Sequence, residues 1–103
     1  LMNTGKGTCV DVTIKAGLTH HAGTQASACA DFNLDGWLDL VVANESIGDY
    51  RRGIDLYINQ QNGTFTHESA AYGLTQNEFF KGCVAVDANN DRYPDIYFSS
   101  LTN

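Results

Sequence analysis

Positive charge is scarce in this chain. Among 103 residues, 6 Lys and Arg stand against 12 Asp and Glu, a net charge of −6. That balance excludes nucleic acid and anionic membrane surfaces as expected partners, because both would repel it. Long apolar runs are also missing. No stretch approaches the roughly 20 apolar residues of a membrane-spanning helix, so membrane insertion is not expected. Leu1 is followed by no basic n-region and no apolar h-region, so no signal peptide is visible. A chain opening on Leu1 reads as processed or excised, which leaves secretion open. Three cysteines, Cys9, Cys29 and Cys83, allow at most one internal disulfide, and their spacing matches no zinc or C-x-x-C motif. Each reads first as a small buried residue in a strand. Catalytic signatures are absent too. There is no G-x-S-x-G, no phosphate loop, and no Ser, Cys or His arrangement that spacing singles out.

What remains is a folded composition, 43% hydrophobic and 11% aromatic with a single proline, enough for one small domain with a modest core. An excess of acids serves solubility, or it gathers carboxylates around a cation. Their positions decide which.

An offset of 56 residues lays the chain on itself. Gly7-Thr8 falls on Gly63-Thr64, Gly17-Leu18-Thr19 on Gly73-Leu74-Thr75, and Asn3 on Asn59. Asp31, Asn33, Asp35 and Asp39 fall on Asp87, Asn89, Asp91 and Asp95, and Leu40 meets Ile96. The register runs from end to end without a gap. It divides the chain into a first repeat over 1–56 and a second, incomplete at its C-terminal end, over 57–103.

Inside the repeat the local patterns predict strands. Trp37–Ala43 and Asp95–Phe98 are short β-branched or aromatic runs. Ile54–Asn59 alternates, and Gln60-Gln61-Asn62-Gly63 turns it into Thr64–His67, with Asn62-Gly63 as the hairpin signal. Ala28-Cys29-Ala30 and Val84-Ala85-Val86 are small-residue runs that lead into acidic loops. Helical period is not sustained anywhere, although Glu68–Tyr72 fits a single turn. Around Val41 both strand faces are apolar, as in a sheet packed between two neighbours. The expected fold is all-β, with tandem four-stranded sheets of the β-propeller blade type, about two repeats of 56 residues. Closed propellers use about four to eight blades, so the assembly is open or is completed by another chain or segment.

Asp31-Phe32-Asn33-Leu34-Asp35-Gly36-Trp37-Leu38-Asp39 follows D-x-[DN]-x-D-G-x-x-D. Asp31, Asn33 and Asp35 supply side-chain oxygens, Trp37 a backbone carbonyl, and Asp39 a closing carboxylate. Calcium takes about six to eight hard oxygen ligands in flexible geometry, and this spacing offers them. Gly36 permits the positive φ of the sharp bend. In the second loop Asp87, Asn89, Asp91, Tyr93 and Asp95 keep the same positions, but Arg92 replaces the glycine. A side chain in the left-handed region costs roughly 1–2 kcal/mol, so the second of two expected Ca²⁺ sites is expected to be weaker. An EF-hand loop has about 12 residues, ends in glutamate and enters a helix. These loops enter strands instead.

D-F-N-L-D-G-W-L-D-L-V-V-A-N, followed by L-Y-I-N-Q-Q-N-G-T-F, resembles the FG-GAP/VCBS repeat of integrin α-subunit propellers, cartilage acidic protein-like proteins and bacterial surface proteins. The resemblance covers essentially the whole chain. It implies calcium at the loop joining a blade's first two strands, held by Asp31, Asn33, Asp35, Trp37 and Asp39 and by Asp87, Asn89, Asp91, Tyr93 and Asp95. The literal Phe-Gly and Gly-Ala-Pro tags are missing, which places the chain nearer the VCBS branch than the integrins. An extracellular or cell-surface setting follows, with a structural or adhesive role rather than an enzymatic one.

The offset also predicts the ends. Leu1-Met2-Asn3 matches Tyr57-Ile58-Asn59, so the chain opens on the last two strands of one blade and closes on the first two of another. Its partners are then the remaining blades of a longer chain, or copies of itself paired head to tail in a ring or filament. Extracellular proteins and glycans are further candidate partners. A carbohydrate-binding propeller is the alternative function, with Tyr50, Tyr72, Phe79 and Phe80 as candidate stacking platforms. Asn44-Glu45-Ser46 and Asn62-Gly63-Thr64 are glycosylation sequons. His20-His21 lacks a third ligand at useful spacing and reads as a solvated loop. Asp49–Gly53 reads as an exposed connection.

Overall fold

A computed structural model describes residues 1–18, 23–45, 53–74 and 79–101, with the backbone alone at 79 and 101. His20-His21, Asp49–Arg52 with Tyr50, Ser46 of the first sequon and the Phe79 side chain lie outside the described residues. No helix there is long and apolar enough to cross a membrane.

The described residues form eight strands: β1 (Met2–Asn3), β2 (Cys9–Val10), β3 (Gly23–Ala30), β4 (Asp39–Glu45), β5 (Ile54–Asn59), β6 (Phe65–His67), β7 (Phe79–Val86) and β8 (Asp95–Leu101). They make three antiparallel sheets: a β1-β2 pair, a four-stranded β3-β4-β5-β6 meander and a β7-β8 pair. This is the two, four, two partition that the 56-residue offset implies. The offset extends to irregularities. The β3–β4 ladder slips between Thr24 and Ala26, and the β7–β8 ladder slips between Phe80 and Gly82, both 56 residues further on. A bulge bends the strand locally and increases its twist, and here it recurs at the same place in both sheets.

Val41 and Ala43 on β4 face the same side as their ladder partners Leu56 and Ile54 on β5. With Ile58 and Phe80 they are buried, and Ala26, Ala28, Phe32, Leu74, Cys83, Ile96 and Phe98 pack around them. The core therefore lies between the four-stranded sheet and the β7-β8 pair. Phe80 and Phe98 meet there with ring centroids 5.3 Å apart. Lys81 pairs with Glu45 beside this seam.

Three local expectations need correction. The strand expected from Trp37 begins at Asp39. Trp37 and Leu38 stay exposed, because side-chain bonds to Asp35 and Asp39 hold the preceding loop until that point. The expected β5–β6 hairpin forms, but its turn is centred differently from an Asn-Gly pair. Its left-handed residues are Gln61 and Gly63, it closes through Gln60 N to the Thr64 carbonyl at 2.9 Å, and Asn62 instead accepts from the Thr64 amide and hydroxyl. Of the cysteines, all unpaired, Cys9 and Cys29 are exposed and only Cys83 is half-buried. All three do lie on strands, but Cys9 stands on the small β1-β2 pair, too little sheet to cover it.

Ala70–Tyr72 forms a single 3₁₀ turn within the segment expected to turn once, and Gly73 closes it in the left-handed region. Earlier, the segment before β3 lies against β6: Phe65 N donates to the Ala16 carbonyl at 2.8 Å. A Cβ on Gly17 would stand 2.7 Å from the Phe65 carbonyl oxygen. At φ +82°, that position requires glycine on two counts.

Candidate metal loops

Each acidic segment joins the first strand of a sheet to the second: Asp31–Asp39 leaves β3 and enters β4, and Asp87–Asp95 leaves β7 and enters β8. Both are built by the same bonds. In the first, Asp31 accepts the amides of Asp35 (3.0 Å) and Gly36 (2.7 Å), Asp35 accepts Trp37 N (2.9 Å), and Asp39 Oδ2 accepts Phe32 N (2.9 Å). In the second, Asp87 accepts Asp91 N (3.1 Å) and Arg92 N (2.8 Å), Asp91 accepts Tyr93 N (2.9 Å), and Asp95 Oδ2 accepts Ala88 N (2.9 Å). The carboxylates at positions 1, 5 and 9 thus fold the loop around themselves, which is why the spacing recurs.

Backbone strain is duplicated too. Gly36 (φ 89°) and Arg92 (φ 73°) are both left-handed, as the glycine rule anticipates. Leu34 (φ 56°) and Asn90 (φ 60°), at position 4, are left-handed as well. Asparagine tolerates that region and leucine does not. Each loop therefore carries one costly residue, Leu34 in the first and Arg92 in the second.

In the second loop, oxygens of Asp87, Asp91 and Asp95 all lie within 4.8 Å of one another. Asn89 is exposed beside them. In the first loop protein donors take more of the oxygens. Asp39, 1% exposed, also accepts Asn59 N on Oδ1 at 2.9 Å, and Asp35 Oδ2 accepts Gln61 Nε2 at 3.3 Å. The Trp37 amide, then the side chains of Gln61 and Asn33, hold the Asp35 carboxyl below its ordinary value. Among the described residues no hydrogen bond reaches the Trp37 or Tyr93 carbonyl. The donor set is all oxygen, with no sulfur or imidazole in either loop, and suits a hard divalent cation such as calcium.

Beside the first loop lies a polar cleft of about 700 Å³, lined among others by Asn33, Asp35, Gln60, Gln61, Glu68 and Tyr72. Partial burial, then the carboxylates of Glu68, Asp39 and Asp35, push the Tyr72 hydroxyl's pKa up. Of the candidate platform residues whose side chains are described, Tyr72 is exposed and Phe80 is core.

A family model described as an FG-GAP-like repeat matches residues 31–98, from the first residue of one loop to beyond the last residue of the other. The chain belongs to the FG-GAP-like repeat family. A comparison with curated proteins found no match. The matched span covers the β4–β6 part of the four-stranded sheet and most of the β7-β8 pair, so the FG-GAP-like repeat here is the loop-and-strand unit described above.

One polar cluster was not foreseen. On the sheet face away from the core, Thr24 Oγ1 donates to Asn44 Oδ1 (3.0 Å), and Asn44 Nδ2 donates to Asp55 Oδ2 (2.9 Å). Asp55 Oδ1 meets His67 Nε2 at 2.6 Å, and Ser69 Oγ lies 3.2 Å from that nitrogen while accepting Leu56 N at 2.8 Å. Serine, histidine and aspartate are therefore neighbours, but Asp55 and Ser69 share a single ring nitrogen. A relay needs them on opposite nitrogens. The cluster fastens β3, β4, β5 and β6 together. It also takes up both amide atoms of the first sequon's Asn44, 1% exposed; Asn62 of the second sequon is exposed.

Proposed function

We propose that this FG-GAP-like repeat protein is a calcium-stabilised structural or adhesive module that works outside the cell, its four-stranded sheet serving as one blade of a propeller-type stack. The observation that carries this reading is the duplicated loop: the same four bonds, the same two left-handed positions and the same oxygen donors recur 56 residues apart. Asp31, Asn33, Asp35, Asp39 and the Trp37 carbonyl would hold one ion. Asp87, Asn89, Asp91, Asp95 and the Tyr93 carbonyl would hold the other. Three carboxylates converging in the second loop repel one another, and a divalent cation removes that cost. Arg92 adds strain and positive charge at the second site, so its affinity is the lower of the two. Leu34 strains the first loop and narrows the difference. The extracellular setting rests on the cation: calcium loops of extracellular modules work at about 10⁻⁴–10⁻³ M, a range that two short loops of this donor set would serve.

The cleft beside the first loop favours a second reading, glycan binding, in which exposed Tyr72 offers a ring and Glu68 a carboxylate to sugar hydroxyls. Gln60 and Gln61 already spend side-chain donors on Ile58, Thr66 and Asp35, so the structural reading comes first. A glycan array separates them, since specific binding is expected only of the second.

Denaturant unfolding in calcium, magnesium and chelator tests the primary reading. A ligand at about 100 times its Kd stabilises the folded state by about 2.7 kcal/mol. A midpoint that rises in calcium and not in equimolar magnesium supports the proposal; identical midpoints in calcium and chelator contradict it.

A further inference from the structure

The two acidic loops share their internal bonds but not the placing of their carboxylates. In the second loop, oxygens of Asp87, Asp91 and Asp95 lie within 4.8 Å of one another; among the described residues Asp31, Asp35 and Asp39 form no such group. The first loop differs in accepting donors from outside itself, all from the β5–β6 hairpin. Asn59 N reaches Asp39 Oδ1 at 2.9 Å, Asn59 Nδ2 reaches the Leu38 carbonyl at 3.0 Å, and Gln61 Nε2 reaches Asp35 Oδ2 at 3.3 Å.

These bonds differ in kind. Asn59 is half-buried and holds the loop partly through its backbone, which fixes hairpin and loop together. Gln61 is exposed and reaches Asp35 by the end of a flexible side chain, through one long bond. Asp35 Oδ1 already accepts the Trp37 amide, as Asp91 Oδ1 accepts that of Tyr93. Oδ2 is therefore the oxygen freer to turn towards a cation, and it is the one that Gln61 holds. Gln61 also stands where a side chain brings strain. Its φ is +64°, in the region that favours glycine. The β1–β2 turn, closed by the equivalent bond from Thr4 N to the Thr8 carbonyl at 2.9 Å, carries Gly5 there at φ +80°. Glycine makes the same turn with less strain, so a glutamine in its place points to a use for the side chain.

We propose that Gln61 is a latch on the first metal loop: its side-chain amide holds Asp35 Oδ2 apart from the other carboxylates, and cation binding requires its release. The inference rests on the calcium reading and adds a coupling to it. Asp35 and Gln61 both line the polar cleft, so release of the latch alters that wall as the ion binds. By linkage the coupling runs both ways: a ligand that draws Gln61 into the cleft favours the ion. A bond this long takes back only part of the first loop's advantage over the second.

Trp37, the single tryptophan, belongs to the first loop, so terbium luminescence excited through it reads that loop, and calcium is measured by competition against terbium. Gln61→Met keeps the backbone strain and removes the donor, whereas Gln61→Gly removes both. The position is exposed, and circular dichroism checks that each variant folds. Both are expected to bind calcium in the first loop about two- to tenfold more tightly than wild type, the range set by the net worth of one hydrogen bond. Unchanged or weaker binding in Gln61→Met overturns the latch. Tightening in Gln61→Gly alone traces to backbone strain and overturns it as well. If wild type and both variants bind neither terbium nor calcium, the calcium reading falls together with the latch; if wild type binds and the variants match it, the latch falls alone.

Discussion

Leu34 and Arg92 occupy left-handed backbone for which neither side chain is suited, one in each acidic loop. Arg92→Gly and Leu34→Gly are each expected to stabilise the protein by roughly 1 kcal/mol in denaturant unfolding, because the strain of an L side chain there is roughly 1–2 kcal/mol and glycine's extra chain entropy returns part of it. A loss of stability in either variant would show that the side chain contributes more than its backbone costs. Gly17 is the opposite case. Gly17→Ala meets the Phe65 carbonyl as well as a positive φ, and is expected to lower stability by roughly 2 kcal/mol or more in the same measurement. The glycine missing at Arg92 was legible from the loop pattern. Leu34 was not, since nothing in D-x-N-x-D marks position 4 as left-handed and leucine argues against it.

Strand pairing was legible wherever the chain alternates, and the 56-residue offset supplied the rest. The outer half of β3, Gly23–Ser27, escaped because small and polar residues carry no apolar period. Asp55 escaped for a related reason. Between Ile54 and Leu56 it reads as a solvent-facing residue of an alternating strand, yet it is 5% exposed and joined to Asn44 and His67. Burial of that second face depends on β3, β6 and the segment after it, which no local pattern brings together. Asp55→Ala strips a buried carboxylate from Asn44 and His67 and leaves the Asn44 amide short of a bond. It is expected to cost about 1–3 kcal/mol in unfolding free energy, with calcium affinity little changed. Unchanged stability would mean that water replaces the carboxylate and the cluster fastens nothing.

For the molecule as a whole, three sheets of two, four and two strands follow from one repeat laid out of phase with the chain. Phase was readable because Asn3, Gly7 and Gly17 recur as Asn59, Gly63 and Gly73. What no pattern disclosed is the uneven burial it produces. The core forms between the complete sheet and the β7-β8 pair, while β1-β2 stays exposed. The acidic loops lie at equivalent ends of their sheets, so two ions would act alike, each tying a first strand to a second. Calorimetric calcium titration of the chelator-stripped protein tests this most directly. Two ions per chain are expected, the first loop binding somewhat more tightly, with Asp31→Ala and Asp87→Ala each removing one. No heat of binding, or a stoichiometry indifferent to both substitutions, would contradict the account.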